Sequence, residues 1–182
     1  MNRIEAFILK YIIVCIFLFI PGKVMAESPD FHNIERMEIP RLKLDIEVKK
    51  IPFSHELGTW DITGETGAVY WLEGTSHPEY GGNTVIAAHY MEYGEPGPLF
   101  RVRDMQKGDE IYLYSGNYKY TYKVERYQYI PDDYMEYMKS RPYALTLSTC
   151  ANFSWESGVW ESRTVVLADL VQIDFVASDE LQ

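Results

Sequence analysis

Cysteine is scarce in this sequence: its 182 residues include two, Cys15 and Cys150. Cys15 lies within an apolar run near the N-terminus, so Cys150 is the only thiol in the rest of the chain. That part of the chain therefore cannot form an internal disulfide. A lone cysteine outside a targeting segment is either a reactive thiol or an ordinary buried residue, and the cysteine count alone does not decide between the two.

Positive charge is also in short supply. Lys and Arg number 17 against 27 Asp and Glu, which gives a formal net charge of -10. Nucleic acids and anionic lipids are polyanions, so an acidic balance of this size argues against both as default partners. No nucleic-acid function is expected.

Long hydrophobic runs are absent. The longest apolar run covers residues 11–20, which is too short to cross about 30 Å of hydrocarbon as a helix. Arg3 and Lys10 precede it, Pro21 and Gly22 end it, and residues 24–26 (VMA) resemble an export cleavage site. We predict that residues 1–26 are a signal peptide or an N-terminal membrane anchor, and that residues 27–182 form one exported domain. Contact with a membrane is expected only through an uncleaved N-terminal segment.

The rest of the chain has the pattern of an all-β protein. Tyrosine is frequent, with 15 residues, and many of these lie in alternating stretches that suit a pleated surface. Short connections with turn residues separate the segments, so we predict a closed β-barrel of seven or eight strands with short helices in the connections. The expected strands cover residues 36–39, 42–48, 84–88, 110–114, 118–129, 144–149 and 164–176, with a strand or helical turn at 68–72, helical turns at 99–105 and a short helix or lid loop at 132–139.

Two residues stand out by their position at the ends of apolar strands. His89 follows residues 84–88 and Cys150 follows residues 144–149, so each is expected at the rim of the barrel. An imidazole near a thiol can activate it, because the thiolate is the nucleophile. Arg163 begins the last strand and can add a permanent positive charge for a developing oxyanion. His77 and Arg141 are the competitors for the histidine and arginine roles.

Five segments, in order along the chain, resemble segments of the sortase family. They are residues 36–42 (RMEIPRL), 82–89 (GNTVIAAH), 98–111 (PLF through GDEI), 146–150 (TLSTC) and 163–168 (RTVVLA). The third of these is similar to the segment that follows the family histidine, and the fourth is similar to the signature around the sortase nucleophile. Together they cover almost all of the predicted exported domain, and they are most similar to the smaller, barrel-only classes.

The resemblance implies a cysteine transpeptidase. Cys150 would attack the carbonyl after the threonine of an LPxTG-like sorting motif and form a thioester. His89 would act as general acid and then as base, and Arg163 would hold the substrate backbone and stabilise the oxyanion. The partners implied are a sorting-signal peptide of a secreted protein and an amine acceptor, either a cell-wall precursor or a pilin lysine. This chemistry needs no metal and no organic cofactor, and the expected location is extracytoplasmic, at the cell surface or membrane.

The sequence departs from the family pattern in two places. Ala88 stands where sortases usually have glycine before the histidine, and thirteen positions separate Cys150 from Arg163, a longer interval than expected. The intervening residues 152–162 are predicted to form an extended aromatic loop that either walls the substrate groove or is a surface insertion. The residues predicted to contact substrate are Thr149, Ala88, Trp155 and Trp160.

Two other functions remain open at the level of sequence. A cysteine peptidase would resolve the same thioester with water instead of an amine. An exported β-barrel binding module would keep Cys150 buried and inert.

Overall fold

The fold was analysed in a computed structural model, which describes residues 33–131 and 141–176. The predicted signal segment (residues 1–26), the predicted helix or lid at 132–139 and the C-terminal tail lie outside the described residues. Within the described residues, no helix combines the length and hydrophobicity needed to span a membrane.

The described residues form twelve strands and three 3-10 helices. In chain order they are β1 (Arg36–Ile39), η1 (Pro40–Leu42), β2 (Leu44–Ile51), β3 (Phe53–Ser54), β4 (Thr59–Trp60), β5 (Val69–Leu72), η2 (Pro78–Tyr80), β6 (Asn83–Ala87), β7 (Met91–Glu92), β8 (Glu95–Pro96), η3 (Val102–Asp104), β9 (Glu110–Ser115), β10 (Tyr118–Pro131), β11 (Ala144–Phe153) and β12 (Trp160–Phe175).

Eight of these strands close into a barrel, as the sequence predicts. The order around the barrel is β1-β2-β5-β6-β11-β12-β10-β9, and the antiparallel pairing of β1 with β9 closes it. Two neighbouring pairs are parallel, β2 with β5 and β6 with β11. Because parallel strands need a crossover connection, long segments leave the barrel at these two places and are free to build a site outside it.

The core of the barrel is a single apolar cluster. Alternate residues of the strands point inward, as Met37 and Ile39 do in β1 and Leu145 and Leu147 do in β11, and all four are fully buried. Removal of apolar surface from water stabilises such a core by about 25 cal/mol per Å². The period-two pattern of the sequence therefore encodes the barrel directly.

A second apolar cluster lies on the outer surface of the barrel. Leu72, Val85 and Ala87 are buried there, and Ile51 and Trp60 pack against them. Trp60 belongs to the small β3–β4 hairpin in the crossover between β2 and β5, and its indole nitrogen donates to the carbonyl of Glu73 at 3.0 Å. This crossover explains why β5 and β6 are buried on both faces, and it forms one side of the groove described below.

The segment between Cys150 and Arg163 differs from the predicted extended loop. Strand β11 continues past Cys150 to Phe153, β12 begins at Trp160, and these two end residues pair directly. Their rings pack edge to face with centroids 5.1 Å apart, a type of cross-strand contact that stabilises a sheet. The long interval is therefore mainly a hairpin extension with a short loop at residues 154–159.

Candidate active site

Cys150 and Arg163 are directly opposite each other in the antiparallel pair of β11 and β12. Opposed residues point to the same face of a sheet, with Cβ atoms about 5 Å apart. Arg163 Nη1 donates to Cys150 Sγ at 2.7 Å. A guanidinium remains charged at all ordinary pH values, so its position on the sulfur favours the thiolate over the thiol.

His89 reaches the same region because β6 and β11 are parallel neighbours. Ala87 is level with Ser148, and the amide of Ala88 donates to the Ser148 carbonyl at 3.1 Å. The two strands therefore deliver His89 and Cys150 to the same end of the barrel. Parallel pairing achieves this for residues that lie far apart in sequence.

Thr149 and Ala88 connect these two strands beneath the reactive side chains. The Thr149 hydroxyl donates to the Ala88 carbonyl at 2.8 Å, and both residues are buried. Neither is among the residues that line the groove. Their predicted contact with substrate stays a prediction. In the structure, their hydrogen bond joins β6 to β11.

The imidazole of His89 is held in one orientation by a backbone carbonyl. His89 Nε2 lies 2.7 Å from the oxygen of Ile62, in the crossover between β2 and β5. A carbonyl oxygen only accepts hydrogen bonds, so Nε2 carries a proton and Nδ1 is the basic nitrogen of the neutral ring. The crossover thus fixes the tautomer of the neutral His89 ring.

Gly97 supports His89 from the other side, and sequence reasoning missed it. Its amide donates to the carbonyl of Tyr90 at 2.9 Å, and a Cβ at this position would overlap the backbone carbonyl of His89. Only glycine permits such a close approach of two backbones. The signal was present in the sequence as a glycine between Pro96 and Pro98.

The three predicted reactive residues share one groove on the outside of the barrel. Its volume is about 530 Å³, and the β3–β4 crossover lies on one side with the start of β12 on the other. The residues that line it are Leu57, Thr59, Trp60, Asp61, Ile62, Thr63, Leu72, Ala87, His89, Cys150, Trp160 and Arg163. Apolar walls with a few polar groups are typical of binding sites for small molecules and short peptide segments.

The two predicted substrate-binding tryptophans have different surroundings. Trp160 lines the groove, and its ring packs against Phe153 and against Tyr90, with centroids 5.1 and 5.4 Å apart. Trp155 contacts Phe153 but is 92% exposed, and it does not line the groove. The geometry therefore gives Trp160 direct access to a bound ligand and leaves Trp155 in the hairpin loop.

Asp61 is a further groove residue that sequence reasoning missed. Its Oδ1 accepts hydrogen bonds from the Thr63 hydroxyl at 2.6 Å and from the Thr63 amide at 3.0 Å. These two bonds lower the pKa of the Asp61 carboxyl from its ordinary value, so the group is ionised at neutral pH. The sequence Asp61-Ile62-Thr63 is typical of an Asx turn, which was the available signal.

The competing residues lie elsewhere and have other partners. His77 is buried before the start of β6, the opposite end from His89, and its ring bonds to the Ser115 hydroxyl at 3.0 Å and to the Glu79 amide at 3.2 Å. Arg141 makes ion pairs with Glu125 at 2.6 Å and Asp169 at 2.9 Å. Asp169 is roughly 20 Å from Arg163 along β12, so Arg141 belongs to another part of the barrel.

No arrangement of three or more His, Cys, Asp or Glu side chains suited to a metal ion occurs in residues 33–131 and 141–176.

Comparisons with known proteins agree on the fold. A family model described as a sortase domain matches residues 37–171. Sortase A of Bacillus anthracis is 29% identical over 140 residues, which are 76% of this chain and 60% of that protein. The match therefore spans less than two thirds of that relative.

Solved structures of low sequence identity share the fold. Sortase A of Listeria monocytogenes has a TM-score of 0.63 at 17% identity, over 80% of this chain and 92% of the other. Sortase E1 of Streptomyces coelicolor, solved with a tripeptide in its active site, has a TM-score of 0.62 at 17% identity, over 78% of this chain and 90% of the other. Sortase C1 of Streptococcus agalactiae has a TM-score of 0.59 at 20% identity, over 77% and 68%.

Proposed function

This chain belongs to the sortase family of cysteine transpeptidases, and we propose that it is an exported enzyme that cleaves an LPxTG-like sorting signal through a thioester on Cys150. The acyl group then passes to an amine of a cell-wall precursor or a pilin. The observation that carries this proposal is the contact of 2.7 Å between Arg163 and the Cys150 sulfur, in a groove that also contains His89.

The first half-reaction follows from this arrangement. The Cys150 thiolate attacks the carbonyl carbon of the scissile peptide bond, and a C–S bond forms as the carbonyl oxygen takes up negative charge. Once the sulfur is bonded to carbon it no longer carries a negative charge, so the Arg163 guanidinium is available to stabilise the oxyanion. The C–N bond then breaks, and His89 in its protonated form gives a proton to the leaving amine.

The second half-reaction restores the enzyme. The incoming amine attacks the thioester carbon, the C–S bond breaks, and Cys150 leaves as the thiolate. His89 takes the proton that the attacking nitrogen loses. The enzyme therefore returns to a thiolate and an imidazolium, the pair with which it began.

The groove has the features expected for an extended peptide. The apolar side chains of Leu57, Trp60 and Trp160 offer contacts for a leucine and a proline, and polar groups lie beside the reactive sulfur. A tripeptide occupies the active site of the Streptomyces coelicolor sortase E1, which has a similar fold. We propose that Trp160 contacts the peptide directly, whereas Thr149 and Ala88 act by holding β6 and β11 together.

The test is to measure the intact mass of residues 27–182 after incubation with LPxTG-type peptides and a small amine. We expect an acyl adduct on Cys150 and an amine-capped product, both absent in Cys150→Ala. A hydrolysed product that no amine can divert would indicate a peptidase. A Cys150 thiol that forms no adduct and resists alkylation in the folded protein would indicate a binding module and overturn the proposal.

A further inference from the structure

The groove contains one acidic residue that the two half-reactions above do not use. Asp61 lines the groove together with His89, Cys150 and Arg163. It is the only Asp or Glu among the groove residues that the structure describes. Arg163 supplies a permanent positive charge and contacts the Cys150 sulfur. The groove therefore contains a guanidinium beside the sulfur and, on the crossover between β2 and β5, the carboxylate of Asp61.

The position of Asp61 is fixed relative to His89. Its carboxylate is bonded to Thr63 through both the hydroxyl and the amide, and the residue between them, Ile62, accepts the hydrogen bond from His89 Nε2 at 2.7 Å. A three-residue turn therefore connects the carboxylate to the imidazole. A second attachment holds the same crossover in place, because the Gly67 amide donates to Glu92 Oε2 at 3.2 Å.

The charge of Asp61 is available to a ligand. The two bonds from Thr63 both reach Oδ1. In residues 33–131 and 141–176, no Lys, Arg or His forms an ion pair with Asp61. The side chain is exposed, and its pKa lies below the ordinary value, so a carboxylate faces solvent at the edge of the groove.

We propose that Asp61 binds the ammonium group of the acceptor amine and holds it on the His89 side of the thioester. This inference rests on the proposed function and identifies the acceptor site and its ligand: a primary amine that is cationic at neutral pH. The α-amino and ε-amino groups of peptides, with pKa values of about 8 and about 10, are of this kind.

Such a site suits the chemistry of the second half-reaction. The ammonium first loses one proton to water, and the resulting amine attacks the thioester carbon. A C–N bond forms, the C–S bond breaks with release of the Cys150 thiolate, and the second proton passes to Nδ1 of His89. Asp61 raises the concentration of the cationic amine within the groove that holds Cys150 and His89.

The experiment compares two nucleophiles on Asp61→Asn in the full-length protein. Glycinamide is mainly cationic at about pH 6.5, whereas hydroxylamine is mainly uncharged there. We measure the rate of thioester formation on Cys150 from an LPxTG-type peptide, and then the concentration of each nucleophile that gives half-maximal aminolysis of the thioester. The matched control is Glu56→Gln, which removes the same charge from an exposed residue of the same crossover that does not line the groove.

We expect Asp61→Asn to raise the half-saturating concentration of glycinamide roughly two- to fivefold, the range for an exposed ion pair, and to leave that of hydroxylamine and the rate of thioester formation unchanged. The effect should shrink at high salt because an exposed pair is screened. An unchanged half-saturating concentration of glycinamide, equal increases for both nucleophiles, slower thioester formation, or the same increase in Glu56→Gln would each overturn the assignment. Absence of any thioester in the wild-type protein would instead overturn the proposed function, and this inference with it.

Discussion

We propose that Arg163 has two roles that follow one another in time. In the free protein its guanidinium donates to the Cys150 sulfur at 2.7 Å, where it favours the thiolate. After the sulfur has bonded to the substrate, the same donors are available for the oxyanion. A planar fork with several N–H donors suits both partners, which a single ammonium point charge does not.

We predict that Arg163→Ala slows thioester formation by on the order of 100-fold or more, because a positioned donor to the oxyanion is lost. Arg163→Lys should recover only part of the rate, since it keeps the charge but loses the fork. The measurement is single-turnover mass spectrometry of the acyl adduct. Circular dichroism of both variants controls for folding, and a folded Arg163→Ala that reacts at the wild-type rate would contradict the role.

The hairpin of β11 and β12 connects Cys150 to the wall of the groove. Asn152 has a φ of 56°, and its side chain donates to the Ser162 hydroxyl at 2.6 Å. This left-handed residue lies between Cys150 and the Phe153–Trp160 pair. The hairpin thus continues beyond the reactive residues and presents Trp160 to the groove.

We predict different results for the two tryptophans of the β11–β12 hairpin, Trp155 and Trp160. Trp160→Ala should raise the peptide KM roughly tenfold, because the lost aromatic contact contributes over 1 kcal/mol to binding. The same change should lower the free energy of unfolding by about 2 kcal/mol. Trp155→Ala should change neither quantity, because its side chain is 92% exposed. Steady-state kinetics and denaturant unfolding test both variants, and an equal effect of the two would contradict a groove role specific to Trp160.

The whole molecule is acidic, with a net charge of -10, and some of its cations form ion pairs between strands. Arg141 joins two strands of the barrel, because it pairs with Glu125 in β10 and with Asp169 in β12. The hydrogen bond from Arg141 is the main cause that lowers the pKa of Glu125 from its ordinary value of 4.5. A lowered folded-state pKa contributes stability above the ordinary value, and that stability is lost as the pH falls through the folded-state pKa.

We therefore predict that Arg141→Gln lowers the free energy of unfolding by about 1 kcal/mol at neutral pH. The difference from wild type should be smaller at acidic pH, below the folded-state pKa of Glu125, where that carboxyl is protonated in both states. Urea unfolding at the two pH values makes the comparison. The control is Arg101→Gln, which breaks a local pair with Asp104 on one short segment and should have a smaller effect. A loss that persists undiminished in acid would show that Arg141 acts through packing and not through charge.

The barrel and the candidate reactive residues could both be predicted from the sequence alone. Period-two alternation specifies which side chains of β1 or β11 face inward, because burial of one face of a strand fixes its register. The segments 82–89 and 146–150 predicted His89 and Cys150 as reactive residues, since short motifs at strand ends keep their meaning without tertiary information. Arg163 was predicted in the same way, and the structure brings all three into one groove.

The walls of the groove and the contacts of its polar atoms follow from how the chain folds. Three features of the site come from connecting segments, whose sequence patterns are weak. They are the Ile62 carbonyl that contacts His89, the Asp61 carboxylate in the groove, and the close approach of the Gly97 backbone to His89. Trp155 and Trp160 look equivalent in the sequence, and the pairing of Trp160 with Phe153 is what separates them. Alternation encodes the face on which a residue lies, whereas the contacts of a crossover depend on how it folds back onto the closed barrel.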